Sequence, residues 1–358
     1  MKPDCRPYLP PEWAPQDAVL LTWPHDRSDW APILEMAEQA FAAIAKAVSA
    51  YERLLIVCRD DAHRDAVARQ LKAADVSPAS YAMYLAQSND TWARDHGPIT
   101  VVCGDERRLL DFRFNGWGGK YPAELDNDIT RALAAQDAFG ATPRQAVDMV
   151  LEGGAIEVDG SGTLLTTERC LLAPTRNPAM SRGDIEKHLS ELLGLHRVLW
   201  LSHGYLAGDD TDSHIDTLAR FCDRDTIAYV ACDDPGDEHY TGLTAMESEL
   251  RAMRTAAGAP YRLVPLPMPR ARFDEDGSRM PATYANFLII NGAVLVPTYD
   301  DPDDRVAFDR LATCFPGREI IGINCLPLIR QHGSLHCVTM QIPAGVLKVR
   351  ERGPDGPT

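Results

Sequence analysis

AVLLTW (Ala18–Trp23), PILEMAEQAFAAIAKAVSAY (Pro32–Tyr51) and RLLIVC (Arg53–Cys58) follow one another near the start of the chain. The first and third are apolar runs of strand length. The middle one places Ile33, Ala37, Ala40, Phe41, Ile44 and Val48 at helical spacing, so the stretch reads strand–helix–strand. The same order recurs outward from it. A helix is expected over Asp61–Ala74 and a strand at Ile99–Cys103, then helix over Ala123–Phe139. Next come a strand at Thr163–Thr167, a helix near Ser181–Leu193 ended by Gly194, and strands at Arg197–Leu201 and Thr226–Cys232. A helix over Tyr240–Ala256 precedes two strands within Phe287–Thr298, joined at Asn291-Gly292 in the manner of a type I′ hairpin. A helix near Asp303–Cys314 and strands at Glu319–Asn324 and Leu335–Ile342 complete the series. Such alternation defines an α/β fold. It fits about five like modules or one doubly wound sheet, but no Gly-x-Gly-x-x-Gly follows the first strand.

Composition narrows the function. The 358 residues are 45% hydrophobic and 25% charged, a globular mixture. No run of 18 apolar residues occurs, so no membrane span or membrane partner is expected. Lys and Arg total 36 against 52 Asp and Glu, a net charge of −16. That balance argues against a nucleic-acid partner. The nine cysteines are scattered with no Cys-x-x-Cys pair, and the first residues form no apolar leader. A reducing, cytoplasmic setting is therefore expected. No linker divides the chain, which reads as one domain over residues 1–350 with a tail at 351–358.

Four segments set dense polar groups beside apolar strands: Asn89–Pro98, Leu151–Gly154, Gly208–Asp216 and Gly333–Val338. Together they hold one thiol, one imidazole and several carboxylates. If the third segment is extended, His214 and Asp216 face one side. Cys337, at the start of the expected strand, pairs naturally with His214 as a nucleophilic device. Carboxylates would repel the oxyanion of ordinary acyl transfer. They suit a planar guanidinium, whose donors match them two by two.

The same segments, in order, resemble the agmatine deiminases, in the wider group with bacterial peptidyl-arginine deiminases. Pro10-Pro11-Glu12-Trp13 through Trp23-Pro24-His25 resembles the family's opening. Asn89-Asp90-Thr91-Trp92-Ala93-Arg94-Asp95, Leu151-Glu152-Gly153-Gly154, Thr211-Asp212-Ser213-His214-Ile215-Asp216 and Leu335-His336-Cys337-Val338 through Pro343 match its motifs. The resemblance spans nearly the whole chain. It implies a five-bladed pseudo-symmetric α/β propeller of the pentein type. It implies Cys337 as nucleophile, His214 as general acid and base, and Asp95 and Asp216 as the grip on the guanidinium. Glu152 would orient His214. Asp210 and Trp117 would contact the substrate tail, and Trp92 would wall the pocket. The implied substrate is agmatine, a small cationic guanidine, with arginine or peptidyl-arginine as the alternative and Arg113 as a carboxylate partner for it. No cofactor and no metal is implied, and a homodimer is the family's habit.

Two departures mark this chain. Ser213 stands where the family has glycine before the histidine, and Gln331-His332-Gly333-Ser334 replaces Gly-Gly-Gly-Asn. Two other classes fit less well: a metal-dependent amidohydrolase using His203, Asp209, His214 and Asp216, and a non-catalytic guanidine-binding protein.

Overall fold

The computed structural model describes residues 6–347; the expected tail at 351–358 lies outside them. The chain forms a single mixed α/β domain. Five of its sheets follow one plan. In Ile99–Cys103/Glu106–Arg113/Arg144–Val150 the first strand runs antiparallel to the second and the second parallel to the third. Glu157–Val158/Thr163–Thr167/Arg197–Leu201 repeats this, as does Ala219–Phe221/Thr226–Ala231/Arg262–Pro267. Leu288–Ile289/Ala293–Thr298/Glu319–Asn324 is the fourth instance. In the fifth, Thr339–Pro343 supplies the antiparallel strand beside Gln16–Thr22, which runs parallel to Arg53–Cys58 and on to Tyr81–Leu85. Both ends of the described chain thus meet in one sheet.

A helix carries the chain between the parallel strands of each module: Leu34–Ser49, Ile129–Ala135, Arg182–Leu193, Tyr240–Ala252 and Asp304–Cys314. In the first, Phe41, Ile44 and Val48 are buried with Val19, Leu21, Leu54 and Ile56 in one core. Each such side chain contributes about 1.5–3 kcal/mol. Ser181 and Asp184 form a reciprocal capping box at the start of Arg182–Leu193. Gly194 ends that helix at φ 73°, where a Cβ would meet the Pro7 carbonyl oxygen.

The expected helix over Ala123–Phe139 shrinks to Ile129–Ala135 behind a short turn at Asp126–Asp128. Side chains there serve other backbone: Asp126 accepts from the Asn89 and Asp90 N–H groups, and Asn127 from that of Phe114. The Asn291-Gly292 hairpin exists, but neither residue has positive φ, so the turn is not type I′. Gly292 is needed for closeness instead, since a Cβ would lie 2.2 Å from the Tyr51 ring. The last strand begins at Thr339, so Leu335–Val338 precede it as a turn. His214–Asp216 is not extended either; Ile215–Thr217 is a 3₁₀ turn with His214 before it. No helix among the described residues is long and apolar enough to cross a membrane.

Candidate active site

Each module presents polar residues just before its antiparallel strand. Asp95 lies in the short helix Ala93–His96, ahead of Ile99–Cys103. Glu152 precedes Glu157–Val158, and His214 and Asp216 precede Ala219–Phe221. Asn286 precedes Leu288–Ile289, and Cys337 precedes Thr339–Pro343. Asp95, Glu152, His214, Asp216 and Cys337 are all buried.

Their groups converge on Gly154. A Cβ there would stand 2.5 Å from His214 Nδ1, 3.0 Å from Asp95 Oδ1 and 3.2 Å from Asp216 Oδ2. The glycine N–H donates to Asp95 Oδ1 at 3.0 Å, and Trp117 Nε1 donates to Asp95 Oδ2 at 2.9 Å. His214 Nδ1 is 3.7 Å from Asp95 Oδ1. The Cys337 thiol is 3.9 Å from Asp216 Oδ2 and 3.4 Å from Asn286 Oδ1. Asp216 Oδ1, His214 Nε2 and Glu152 Oε2 are buried without partners. Buried polar atoms are seldom left so, which makes these three the open positions of the site.

Glu152 does not hydrogen-bond His214. Its Oε1 accepts from Arg176 Nε at 2.8 Å. A carboxylate oxygen of Glu152, a ring nitrogen of His214 and Cys170 Sγ nonetheless lie within 4.8 Å of one another. Among the described residues this is the one cluster with metal-ligand spacing. Arg176 already sets its charge against Glu152, and burial holds the Cys170 thiol well above its ordinary range. The cluster is a compensated ion pair. The set His203, Asp209, His214 and Asp216 is not assembled: His203 is exposed and bound to Glu249 at 2.7 Å.

Burial favours the uncharged forms of Cys337, His214, Asp95 and Asp216. Burial, then the Asp216 and Asp95 carboxyls, push the Cys337 thiol well above its usual range. Burial and then Arg176 push the His214 imidazole well below its own. Burial and Glu152 raise Asp95 to about 7, and burial and Asp95 raise Asp216 well above the carboxylate range. A cation is what this arrangement lacks.

A pocket lined in part by Cys337 opens onto the site. Trp92, Trp117 and Tyr121 form its aromatic wall, and Asp29, Asp90, Asp95 and Asp210 its acidic groups; no Lys or Arg lines it. Trp117 holds a left-handed backbone (φ 54°), strained for a bulky residue, while its indole holds Asp95. Ser213 and His332, the two departures, also sit at φ 66° and 67°. Both occupy conformations that favour glycine. Arg113 does not line the pocket; it is exposed and faces Asp148 at 3.7 Å.

The structure thus brings Cys337, His214, Asp216, Asp95 and Glu152 together, and sets Asp210, Trp92 and Trp117 along the pocket. Sequence reading missed Asn286, Arg176, Cys170 and Tyr121. Asn286 had a signal: it stands two residues ahead of its module's antiparallel strand, as Cys337 does in its own.

This fold and site define a deiminase. Residues 8–343 match the Porphyromonas-type peptidyl-arginine deiminase family, and the chain belongs to it. A solved Porphyromonas gingivalis protein, provisionally called an arginine deiminase, is 53% identical, with TM-score 0.88 over 95% of this chain and 99% of that one. A C. jejuni agmatine deiminase, solved as a cysteine-to-serine variant with substrate bound, is 37% identical. It has TM-score 0.88 over 96% of this chain and 98% of its own. A Vibrio parahaemolyticus protein, provisionally an agmatine deiminase, is 36% identical over 94% of this chain and 97% of its own.

Proposed function

We propose that the protein hydrolyses agmatine to N-carbamoylputrescine and ammonia through a covalent amidino-cysteine intermediate. The carrying observation is the pocket that Cys337 helps to line, with four Asp and no Lys or Arg in its wall. Agmatine is cationic at both ends. Arginine brings a carboxylate, which that wall of four Asp disfavours, His332 being its one basic side chain.

In this reading Asp95 and the open Oδ1 of Asp216 take the guanidinium nitrogens. The arriving cation supplies the charge that favours the Cys337 thiolate. The thiol proton passes to His214 as sulfur bonds to the guanidinium carbon. His214 then protonates the departing nitrogen, which leaves as ammonia. Next it takes a proton from the water that attacks the amidino carbon. The carbon–sulfur bond breaks, releasing the ureido product and restoring the thiol. Glu152, held by Arg176, packs within 4.8 Å of the His214 ring and helps to orient it. Trp92 and Trp117 wall the reacting centre, and Asp210, which hydrogen-bonds Tyr121, faces the distal ammonium.

Five like-built sheets, with site residues at one phase of each module, support a five-bladed propeller about the site and a single catalytic domain over 1–350. The resemblance alone supports a homodimer, and the cysteine usage supports a cytoplasmic location. The test of function is incubation with agmatine, arginine and a peptidyl-arginine, scoring ammonia and the ureido product. Turnover of agmatine far above the other two is expected; preference for arginine overturns the substrate.

A further inference from the structure

His336 lies beside the nucleophile in sequence, yet its ring turns away from the thiol. Nδ1 is 2.7 Å from Asp216 Oδ2, and Nε2 is 2.6 Å from Glu12 Oε2. All three residues are buried. Two hydrogen bonds among two carboxyls and one imidazole require two protons, because a carboxylate only accepts. The set is either an imidazolium between two carboxylates or a neutral imidazole with one carboxylic acid. Both arrangements carry the same net charge, so a proton moves between them without entering or leaving the protein.

The surroundings distinguish the two ends. Arg220 Nη2 is 2.9 Å and Arg94 Nη2 3.5 Å from Glu12 Oε2. Arg220 also pairs with Glu157. Burial alone would raise the Glu12 carboxyl; Arg220, His336 and Arg94 outweigh it and hold it below the usual carboxylate range. Asp216 instead is raised by burial and then Asp95, with Arg94 opposing them less strongly; the Cys337 thiol is 3.9 Å away, and Asp216 Oδ1 is open. Burial, then Arg220 and Arg94, push the His336 imidazole well below its ordinary range, so that before the cation arrives the ring is neutral. Glu12 and His336 border a second pocket that shares no lining residue with the acidic one.

We propose that His336 is a positioning residue that holds Asp216 and stores its proton, so that Asp216 meets the guanidinium as a carboxylate without exchanging a proton with solvent. The proposal rests on the agmatine reading and deepens it. In the empty site Asp216 carries the proton on Oδ2 and donates to Nδ1, while Nε2–H donates to Glu12. When the cation reaches Oδ1, the O–H bond breaks and an N–H bond forms at Nδ1. The imidazolium then sits between the Asp216 and Glu12 carboxylates.

The test uses two variants in a Cys337→Ser background, which holds agmatine unturned. Asn places its amide near where Nδ1 stood, and Gln near where Nε2 stood; neither stores a proton. Agmatine is titrated by calorimetry in buffers of different ionisation enthalpy, and each variant is melted to verify folding. Both His336→Asn and His336→Gln are expected to release about one more proton per agmatine bound than the parent, because Asp216 now loses its proton to solvent. His336→Gln is expected to bind roughly tenfold more weakly than His336→Asn, having lost the donor to Asp216. If Gln does not fold, the proton count of Asn decides alone. A proton count equal to the parent's overturns the proposal. Failure of the Cys337→Ser parent itself to bind agmatine overturns the functional reading beneath it, and this with it.

Discussion

Replacing Ser213 with glycine is expected to stabilise the protein while leaving its activity in place. Ser213 has φ 66°, and its buried hydroxyl has no partner. Its working contacts are all backbone: the N–H donates to Asp209 Oδ2 at 2.7 Å, and the carbonyl accepts from Thr167 Oγ1 at 2.8 Å. Glycine keeps both. Relief of the left-handed backbone is worth about 1–2 kcal/mol. Removal of an unsatisfied buried hydroxyl adds about 1–3 kcal/mol. Against these stands the extra unfolded-state freedom of glycine, about 0.5–1 kcal/mol. A net gain of about 1–1.5 kcal/mol remains when the lower ends of the two gains are taken. At about 2 cal/mol/K per residue of unfolding entropy, this raises Tm by about 1–2 °C. Thermal melts monitored by circular dichroism, beside kcat and KM for agmatine, read the outcome. Asp212→Gly is the internal control. Its φ is 67°, but its carboxylate binds Lys120 at 2.8 Å and pairs with Arg176, so that variant loses stability. A Ser213→Gly variant that melts below wild type refutes the reasoning, because it requires a favourable contact at the hydroxyl.

Other outcomes follow from the same geometry. Gly154→Ala forces a Cβ to 2.5 Å from His214 Nδ1, and turnover is expected to fall about 100-fold by misplacement of the imidazole; unchanged kinetics refute the convergence on Gly154. Asp210→Asn is expected to lower kcat/KM for agmatine roughly 10- to 100-fold while sparing a guanidine with an uncharged alkyl tail; equal losses make Asp210 structural. Burial raises Asp95 and Glu52 to about 7 and Asp126 to about 8, each above its unfolded value. Their stabilising neutral forms are complete near pH 4 and lost as pH rises through 7 and 8, so Tm is expected to be lower at pH 8.5 than at pH 5.5. A higher Tm at pH 8.5 contradicts those shifts.

The α/β alternation was legible because buried strands such as Arg53–Cys58 are continuous apolar runs and helices such as Leu34–Ser49 keep their period. Shorter strands were not. Glu157–Val158 and Ala219–Phe221 span two and three residues, too few to show any period. Glu106–Arg113 opens on three charged or long polar residues because that end reaches the surface. The site residues lie together through motifs that sequence displays intact, but their local shapes depend on tertiary contacts. The sequence allows an extended His214–Asp216 because i, i+2 spacing is compatible with a strand; the bonds from the Thr217 and Leu218 N–H groups to the His214 and Ile215 carbonyls curl it instead. Arg176 and Cys170 carry no local mark at all. They reach Glu152 across the fold, and the pairing at 2.8 Å exists only in three dimensions.

The central claim is that Cys337 attacks the guanidinium carbon, and one measurement addresses it directly. Wild-type protein is mixed with agmatine, quenched in acid during turnover, digested and analysed by mass spectrometry. The peptide containing Cys337 is expected to gain the mass of agmatine less one ammonia, and Cys337→Ser to show neither the adduct nor turnover. An adduct on another residue, or full activity in Cys337→Ser, would contradict the account.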